Sequence, residues 1–343
     1  MSEVTSARRE LDPRFHLLKV LGSIGVIMVH ASIERVDSVD TARWGWWLAN
    51  IGNAAGRYGS AIFVMVGGAV LLARASEERP LAFVKDRLVR LLPIVLFWSA
   101  FYLLWRQWTW GNLTPAGVAK ELLVGMPFYH LWFVYMLLGL YLMIPVLRLL
   151  VRDPRYKTLQ YYALALAAVL TCLEAAAQTL QQTMHASFLG LSPLFIVYFI
   201  GGYLLHRDRP AVPATALWLV PVACIASMAM LVAQLYPQLG SWAFVLIYSN
   251  RAPFAMLLTF CLFLGVFRLP RDHALVRWAT PLGGVTLGIY AIHPFWIDML
   301  KATGWRAMAF DSAWMLPAAA VYILSAATAL ALSRLPGLRR VVQ

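Results

Sequence analysis

Lys19 and His30 are the residues whose types and spacing point most directly to chemistry, because both lie in the first long apolar segment. Eleven helical steps of about 100° return nearly to the starting angle, so the two side chains would share one face, roughly 16 Å apart. A half-buried imidazole tends to be neutral and able to accept a proton. The pattern predicts a polar path through a bilayer with His30 as general base; a hydrogen-bonded interface histidine is the alternative.

Three cations form a candidate site for an anionic ligand. Arg87 and Arg90 are three residues apart, so they would share a helix face, and their guanidinium forks suit phosphate groups. Together with Lys19 they predict a pocket for a nucleotide-bearing donor. The alternatives are an ordinary basic flank for the two arginines and a lysine that simply reaches the membrane interface.

Two carboxylates are candidates for assisting the chemistry. Glu34 lies one helical turn beyond His30 and could orient the imidazole, or it could be a solvated loop residue. Glu174 is the one carboxylate deep within a predicted span, where an unpaired charge is costly. We expect Glu174 to pair with an arginine such as Arg57 or Arg251, with assistance in catalysis as the second interpretation.

His130, Tyr290 and His293 are candidates for supporting the site or the acceptor. Both histidines lie near ends of predicted helices, where each could act directly or serve as a helix cap or interface residue. The sequence predicts no metal site and shows no Ser-His-Asp order. Its cysteines lack metal-ligand spacing, which indicates core packing; they are Cys172, Cys224 and Cys261.

The composition requires a membrane protein. The chain has 343 residues, 61% of them hydrophobic and 13% charged, with a mean hydropathy of +0.68, which is too apolar for a soluble domain. Apolar stretches recur throughout, with breaks too short for a separate soluble domain. We predict one all-α membrane domain over residues 1–343, with about ten transmembrane helices near 16–33, 58–73, 91–107, 130–150, 159–180, 187–205, 213–235, 252–268, 279–300 and 314–333.

The net charge of +13 reports topology and not a nucleic-acid partner. With the amino terminus in the cytoplasm, about 21 of the 29 Lys and Arg residues fall in cytoplasmic segments. Both termini are therefore expected in the cytoplasm. The predicted outer loop 34–57 and the predicted outer segment 106–129 are rich in tryptophan, which suits either interface anchoring or stacking on sugar rings.

At these residues the chain resembles the acyltransferase-3 family of integral membrane acyltransferases, which includes O-acetylases of bacterial surface polysaccharides. The resemblance rests on short motifs distributed in order over most of the chain. They are Lys19-x10-His30, FVMVGG at 63–68, Arg87-x-x-Arg90, HLWF at 130–133 and GIYAIHP at 288–294. Gly67 stands where many members of the family have serine.

The resemblance implies a multi-pass enzyme of the bacterial inner membrane. It implies transfer of an acyl group, expected to be acetyl, from cytoplasmic acyl-CoA to a hydroxyl of a glycan or lipid-linked saccharide. His30 is then the expected catalytic histidine, and Lys19, Arg87 and Arg90 are expected to bind or arrange the donor. No fused extracellular SGNH-type domain is expected, which favours a stand-alone transferase.

Two routes for the acyl group and two other functions for the protein stay open at this point. The acyl group could pass directly to the acceptor, or through a transient acyl-enzyme to an outward-facing acceptor. A transporter or flippase of an anionic lipid or glycan would also use aligned charges in a polar path, and a non-catalytic partner in a glycan-assembly complex is a third class. Catalysis predicts CoA release in proportion to acceptor modified, whereas transport requires no CoA.

Overall fold

A computed structural model gives the fold and describes residues 11–73, 79–111, 113–182, 188–305 and 314–343. The predicted all-α class is confirmed for these ranges, in which no strand occurs. Residue 112 of the predicted outer segment and residue 187 of one predicted span lie outside them. The first helices are α1 (Arg14–Asp37), α2 (Trp44–Ala55), α3 (Gly59–Leu71), α4 (Pro80–Trp110), α5 (Pro115–Val124), α6 (Trp132–Val151), α7 (Lys157–Gln181) and α8 (Phe188–Leu194).

The second half of the chain continues the same pattern of apolar helices joined by short connections. Its helices are α9 (Ile196–Asp208), α10 (Ala214–Leu239), α11 (Trp242–Ile247), α12 (Pro253–Phe267), α13 (Ala274–Ala279), α14 (Thr286–Leu300), α15 (Met315–Arg334) and α16 (Arg339–Val342). Prolines begin α4, α5 and α12, because the first helical position needs no backbone N–H donor.

Seven helical segments of the described chain are long and apolar enough to cross a bilayer. This supports a multi-pass membrane protein, while the count of about ten spans and the cytoplasmic termini stay predictions. The segments are Arg14–Asp37, Trp44–Leu71, Pro80–Trp110, Trp132–Val151, Pro154–Gln181, Ala214–Leu239 and Met315–Arg334. The shorter apolar helix Pro253–Phe267 adds to them.

The tryptophan-rich segment after α1 differs from the predicted outer loop over 34–57. Most of it is helical, because α1 continues to Asp37 and α2 begins at Trp44. Trp46 is fully buried, and its indole N–H donates to the Val36 carbonyl at 3.0 Å. Trp44 remains largely exposed. Interface tryptophans and buried helical tryptophans look alike in sequence, so only packing separates them.

Glycines let α1 and the start of α3 approach closely. A Cβ on Gly25 would lie 2.9 Å from the Gly56 carbonyl oxygen, and one on Gly59 would lie 2.6 Å from the Val26 amide nitrogen. Any larger residue would therefore force the backbones apart. The turn at Gly56–Tyr58, which carries Arg57, is held against the middle of α1.

Candidate active site

Three histidines from separate parts of the chain meet at one place. His30 lies on α1, His293 on α14, and His130 just before α6. The His293 ring centroid is 5.3 Å from that of His30 and 5.3 Å from that of His130. Tyr290 packs 5.4 Å from His130. The structure thus brings together four of the residues that the sequence singled out.

Pro294 explains the contact that orients the His293 ring. Proline has no N–H, so it cannot satisfy the Tyr290 carbonyl four residues earlier. His293 Nδ1 lies 2.5 Å from that carbonyl oxygen, and His130 Nε2 lies 3.1 Å from the Ala291 carbonyl oxygen. A carbonyl only accepts, so both ring nitrogens donate, which assigns the tautomer of each neutral ring.

The same assignment leaves two buried ring nitrogens as acceptors. His293 Nε2 and His130 Nδ1 have no hydrogen-bond partner among the described residues. An unpaired buried polar atom costs free energy. Such atoms are expected where a substrate group completes the hydrogen bonding, and here they lie in the cluster that contains His30.

Two of these histidines, His30 and His130, border a cavity of about 140 Å³. Its polar lining combines imidazole, guanidinium, hydroxyl and amide groups, and the described residues around it include no carboxylate. A site with this composition favours a ligand that carries or develops negative charge. The polar lining residues are His30, Arg57, Ser60, His130, Asn250 and Tyr290.

Arg57 is the cavity residue that sequence reasoning placed differently, as a partner for Glu174. Its guanidinium donates to the Tyr248 carbonyl at 3.0 Å and to the Asn53 side-chain oxygen. It also lies 4.4 Å from the centre of the Tyr248 ring, a cation–π contact. These contacts fix the position of the Arg57 guanidinium at the lining of the cavity. The available signal in the sequence was its place between Gly56 and Gly59, at the start of the predicted second span, 58–73.

The two candidate carboxylates have different hydrogen-bond partners. Glu34 accepts a hydrogen bond from Lys301 Nζ at 2.6 Å. Glu174 accepts one from the Gln178 amide at 3.2 Å, and its charge acts on Arg251. Burial lowers the pKa of Arg251, and Glu174 opposes that shift. Neither carboxylate is among the described residues that line the cavity.

Arg87 and Arg90 share an ion-pair partner on α4 but differ in how far their side chains are exposed. Both bind Asp86, yet the Arg87 side chain is 15% exposed and that of Arg90 is 66% exposed. Arg87 lies over the Phe83 ring at 5.2 Å, and Arg148 contacts the same ring at 4.1 Å. The structure therefore groups Arg87 with Arg148, which the sequence did not single out.

Lys19 lies in the N-terminal part of α1, and Arg148 contacts the C-terminus of α3. Both places are at the ends of these helices that lie away from His30 and Arg57. Lys19 is half-buried on α1 and makes no ion pair with a described residue. Arg148 donates two hydrogen bonds to the Leu71 carbonyl, at 2.8 and 3.2 Å, which satisfies the C-terminus of α3. Lys19 and His30 lie on the same uninterrupted helix α1, and their joint role in one polar path stays a prediction.

The family described as an acyltransferase domain matches residues 12–334. Among curated proteins and solved structures, none matches the chain at a significant level. The family match supports a membrane acyltransferase and lends no support to a transporter. With nearly the whole chain covered, the protein belongs to the acyltransferase-3 family.

Proposed function

We propose that this protein is a membrane O-acyltransferase that moves an acyl group, expected to be acetyl, from acyl-CoA to a hydroxyl of a glycan or lipid-linked saccharide. The observation that supports the proposal is the cavity in which His30 lies with Arg57 and His130, in a member of an acyltransferase family. We place the enzyme in the bacterial inner membrane with both termini in the cytoplasm.

His30 would act as the general base. Its neutral imidazole takes the proton of the acceptor hydroxyl while that oxygen attacks the thioester carbonyl carbon. The tetrahedral intermediate carries an oxyanion, which the Arg57 guanidinium stabilises by charge and hydrogen bonding. When the carbon–sulfur bond breaks, the CoA thiolate leaves and the imidazolium returns its proton to the sulfur. The acyl ester and free CoA are the products.

His293 and His130 would support this step without leaving their positions. Both rings are anchored to backbone carbonyls of α14, so His293 stacks on His30 and His130 packs against His293 in fixed orientations. A base whose ring is held by packing stays in the orientation that the reaction needs. Tyr290 donates to the His130 backbone carbonyl and so joins α14 to the start of α6.

Donor binding would involve cations near the other end of α1. Lys19 lies about three turns from His30, so an extended acyl-bearing arm would have to run along α1 between them. Arg87, which lies beside Phe83 with Arg148, is the better placed of the predicted arginines for phosphate. Arg90 is exposed and paired with Asp86, so we assign it an outer, weaker role.

Glu34 and Glu174 would contribute through other side chains. Glu34 holds Lys301 one helical turn past His30, and Glu174 balances the charge of Arg251. We therefore propose positioning and structural roles for these two carboxylates.

The test is acyl-CoA-dependent release of CoA by the purified protein in liposomes, with a lipid-linked glycan extract as acceptor. We expect acceptor-stimulated release by the wild type and a loss of about 10²-fold or more in His30→Ala. His273→Ala is the matched control, because His273 caps the short helix α13 in a loop outside the cavity. Full activity of His30→Ala would contradict the assignment of the base.

A further inference from the structure

A second cavity lies where the last turns of α4 and α14 meet. It has a volume of about 400 Å³. Three indole side chains and two oppositely charged groups line it; these are Trp105, Trp108, Trp110, Asp298 and Lys301. We call it the tryptophan groove. Trp108 is 77% exposed and Trp110 is also exposed, so aromatic surface remains available there.

The polar groups of the groove keep hydrogen-bonding capacity. Trp105 donates its indole N–H to one Asp298 oxygen at 3.1 Å, which leaves the second carboxylate oxygen able to accept. The Lys301 ammonium has three donors and uses one on Glu34 at 2.6 Å. Aromatic faces beside a carboxylate and an ammonium match the apolar C–H face and the hydroxyl groups of a sugar ring.

The charges at the groove favour a neutral sugar over the anionic acyl donor. The lysine is already paired with Glu34, and Asp298 adds a further carboxylate at the groove. Two carboxylates against one ammonium would repel the phosphates of CoA. The groove therefore suits a neutral saccharide better than a nucleotide.

Two helices carry residues of both the groove region and the histidine cluster. Asp298 follows His293 by five residues on α14, about 7.5 Å along the axis. Glu34, the partner of Lys301, lies one turn past His30 on α1. The Phe295 ring packs against Trp105 with centroids 4.9 Å apart. A saccharide in the groove would thus extend one of its units toward His30.

We propose that the tryptophan groove binds the saccharide acceptor, with a sugar ring against Trp108 and its hydroxyls on Asp298 and Lys301. This rests on the proposed function, since it assigns the acceptor side of the same reaction. Interface anchoring of the tryptophans is the competing explanation, and it predicts that the groove tryptophans behave like any exposed tryptophan.

The first test measures binding without acyl-CoA, so that it does not depend on transfer. The probe is the oligosaccharide released by mild acid from the lipid-linked glycan extract. Its binding is detected as quenching of the protein's tryptophan fluorescence. We expect saturable binding by the wild type and by His30→Ala, with affinity about tenfold weaker in Trp108→Ala and in Asp298→Asn. Trp108→Phe should recover part of the affinity because it restores an aromatic face.

Trp44→Ala is the matched control, because Trp44 is 71% exposed on α2 and does not line the groove. Its affinity should equal that of the wild type. In the transfer assay, the groove variants should raise the KM for acceptor and leave the KM for acyl-CoA unchanged. Absence of saturable binding by the wild type, or wild-type affinity in both groove variants, would overturn the groove assignment. Full transfer by His30→Ala would instead overturn the proposed base while leaving the binding result intact.

Discussion

His293 stacks on His30 with ring centroids 5.3 Å apart and ring planes inclined by 29°. The two residues are far apart in sequence, and α14 packs against α1 to bring them together. His293 is also anchored through Nδ1 to the Tyr290 carbonyl. The ring that we assign as general base therefore rests on a second ring whose own orientation is set by a proline-interrupted helix.

Removal of the stacked ring should impair catalysis more than donor binding. We expect His293→Ala to lower kcat by about 10²-fold, since a misplaced base loses productive geometry. The KM for acyl-CoA should stay near the wild-type value, because the predicted donor cations lie elsewhere. Steady-state CoA release at varied donor concentration measures both constants. An unchanged kcat would show that the stack does not position His30.

Arg57 should not be replaceable by lysine. Its guanidinium binds the Tyr248 carbonyl and the Asn53 side chain and also lies over the Tyr248 ring, and an ammonium cannot reproduce this planar fork. We expect Arg57→Lys to reduce kcat by about 10²-fold, the loss typical of a missing oxyanion donor. Arg43→Lys is the control, because Arg43 is exposed and pairs with Asp40 on the surface. Equal rates in the two variants would remove Arg57 from the mechanism.

The approach of α1 and α3 should be sensitive to a single methyl group. Gly59→Ala would place a Cβ 2.6 Å from the Val26 amide nitrogen, and such overpacking costs about 1–3 kcal/mol. Gly265→Ala is the matched control in α12, because a Cβ there meets nothing within 4 Å. Thermal unfolding in detergent should show a lower midpoint for the first variant and an equal or higher one for the second.

Acid should weaken the link that Asp12 makes outside the spans. Burial alone would raise the pKa of Asp12, but hydrogen bonds and charge from Arg14, aided by Arg271, hold it below 3.8. A carboxyl with a depressed folded-state pKa stabilises the fold at neutral pH, and the contribution disappears as pH falls through that value. Arg14 in turn binds the Phe267 carbonyl at 2.8 Å.

The measurement is the unfolding midpoint of Asp12→Asn against wild type over a pH series. The wild type should be the more stable protein at pH 7, and the difference should shrink only below the usual carboxyl pKa of 3.8. A difference that is the same at acid and neutral pH would mean that the ionised carboxylate contributes nothing.

The two arginines of α4 should differ in their effect on the donor. Arg87 is mostly buried beside Phe83 and Arg148, whereas Arg90 is 66% exposed, where water and salt screen its charge. We expect Arg87→Gln to raise the KM for acyl-CoA by about tenfold and Arg90→Gln to raise it by less. The opposite order would place the donor phosphates on the outer face of α4.

Much of the candidate site could be expected from local pattern. The eleven-residue spacing of Lys19 and His30 predicts a shared helix face, and the positions of His130 and His293 near helix ends make them candidates for supporting the site. The sequence predicts Arg57 only as one of two arginines that could pair with Glu174, because its position in the cavity depends on the close contact between Gly25 and Gly59. No local pattern encodes such a contact between different helices.

The sequence by itself determined the class of molecule, because length and hydropathy decide whether a helix can lie in a bilayer and a fixed helical period decides which residues share its face. The tertiary structure decided which faces meet. Within the predicted loop at 34–57 the structure has a helix that contains the buried Trp46. It also brings His293 into a stacked position on His30. Those outcomes depend on side-chain packing between residues distant in the chain, which local periodicity does not specify.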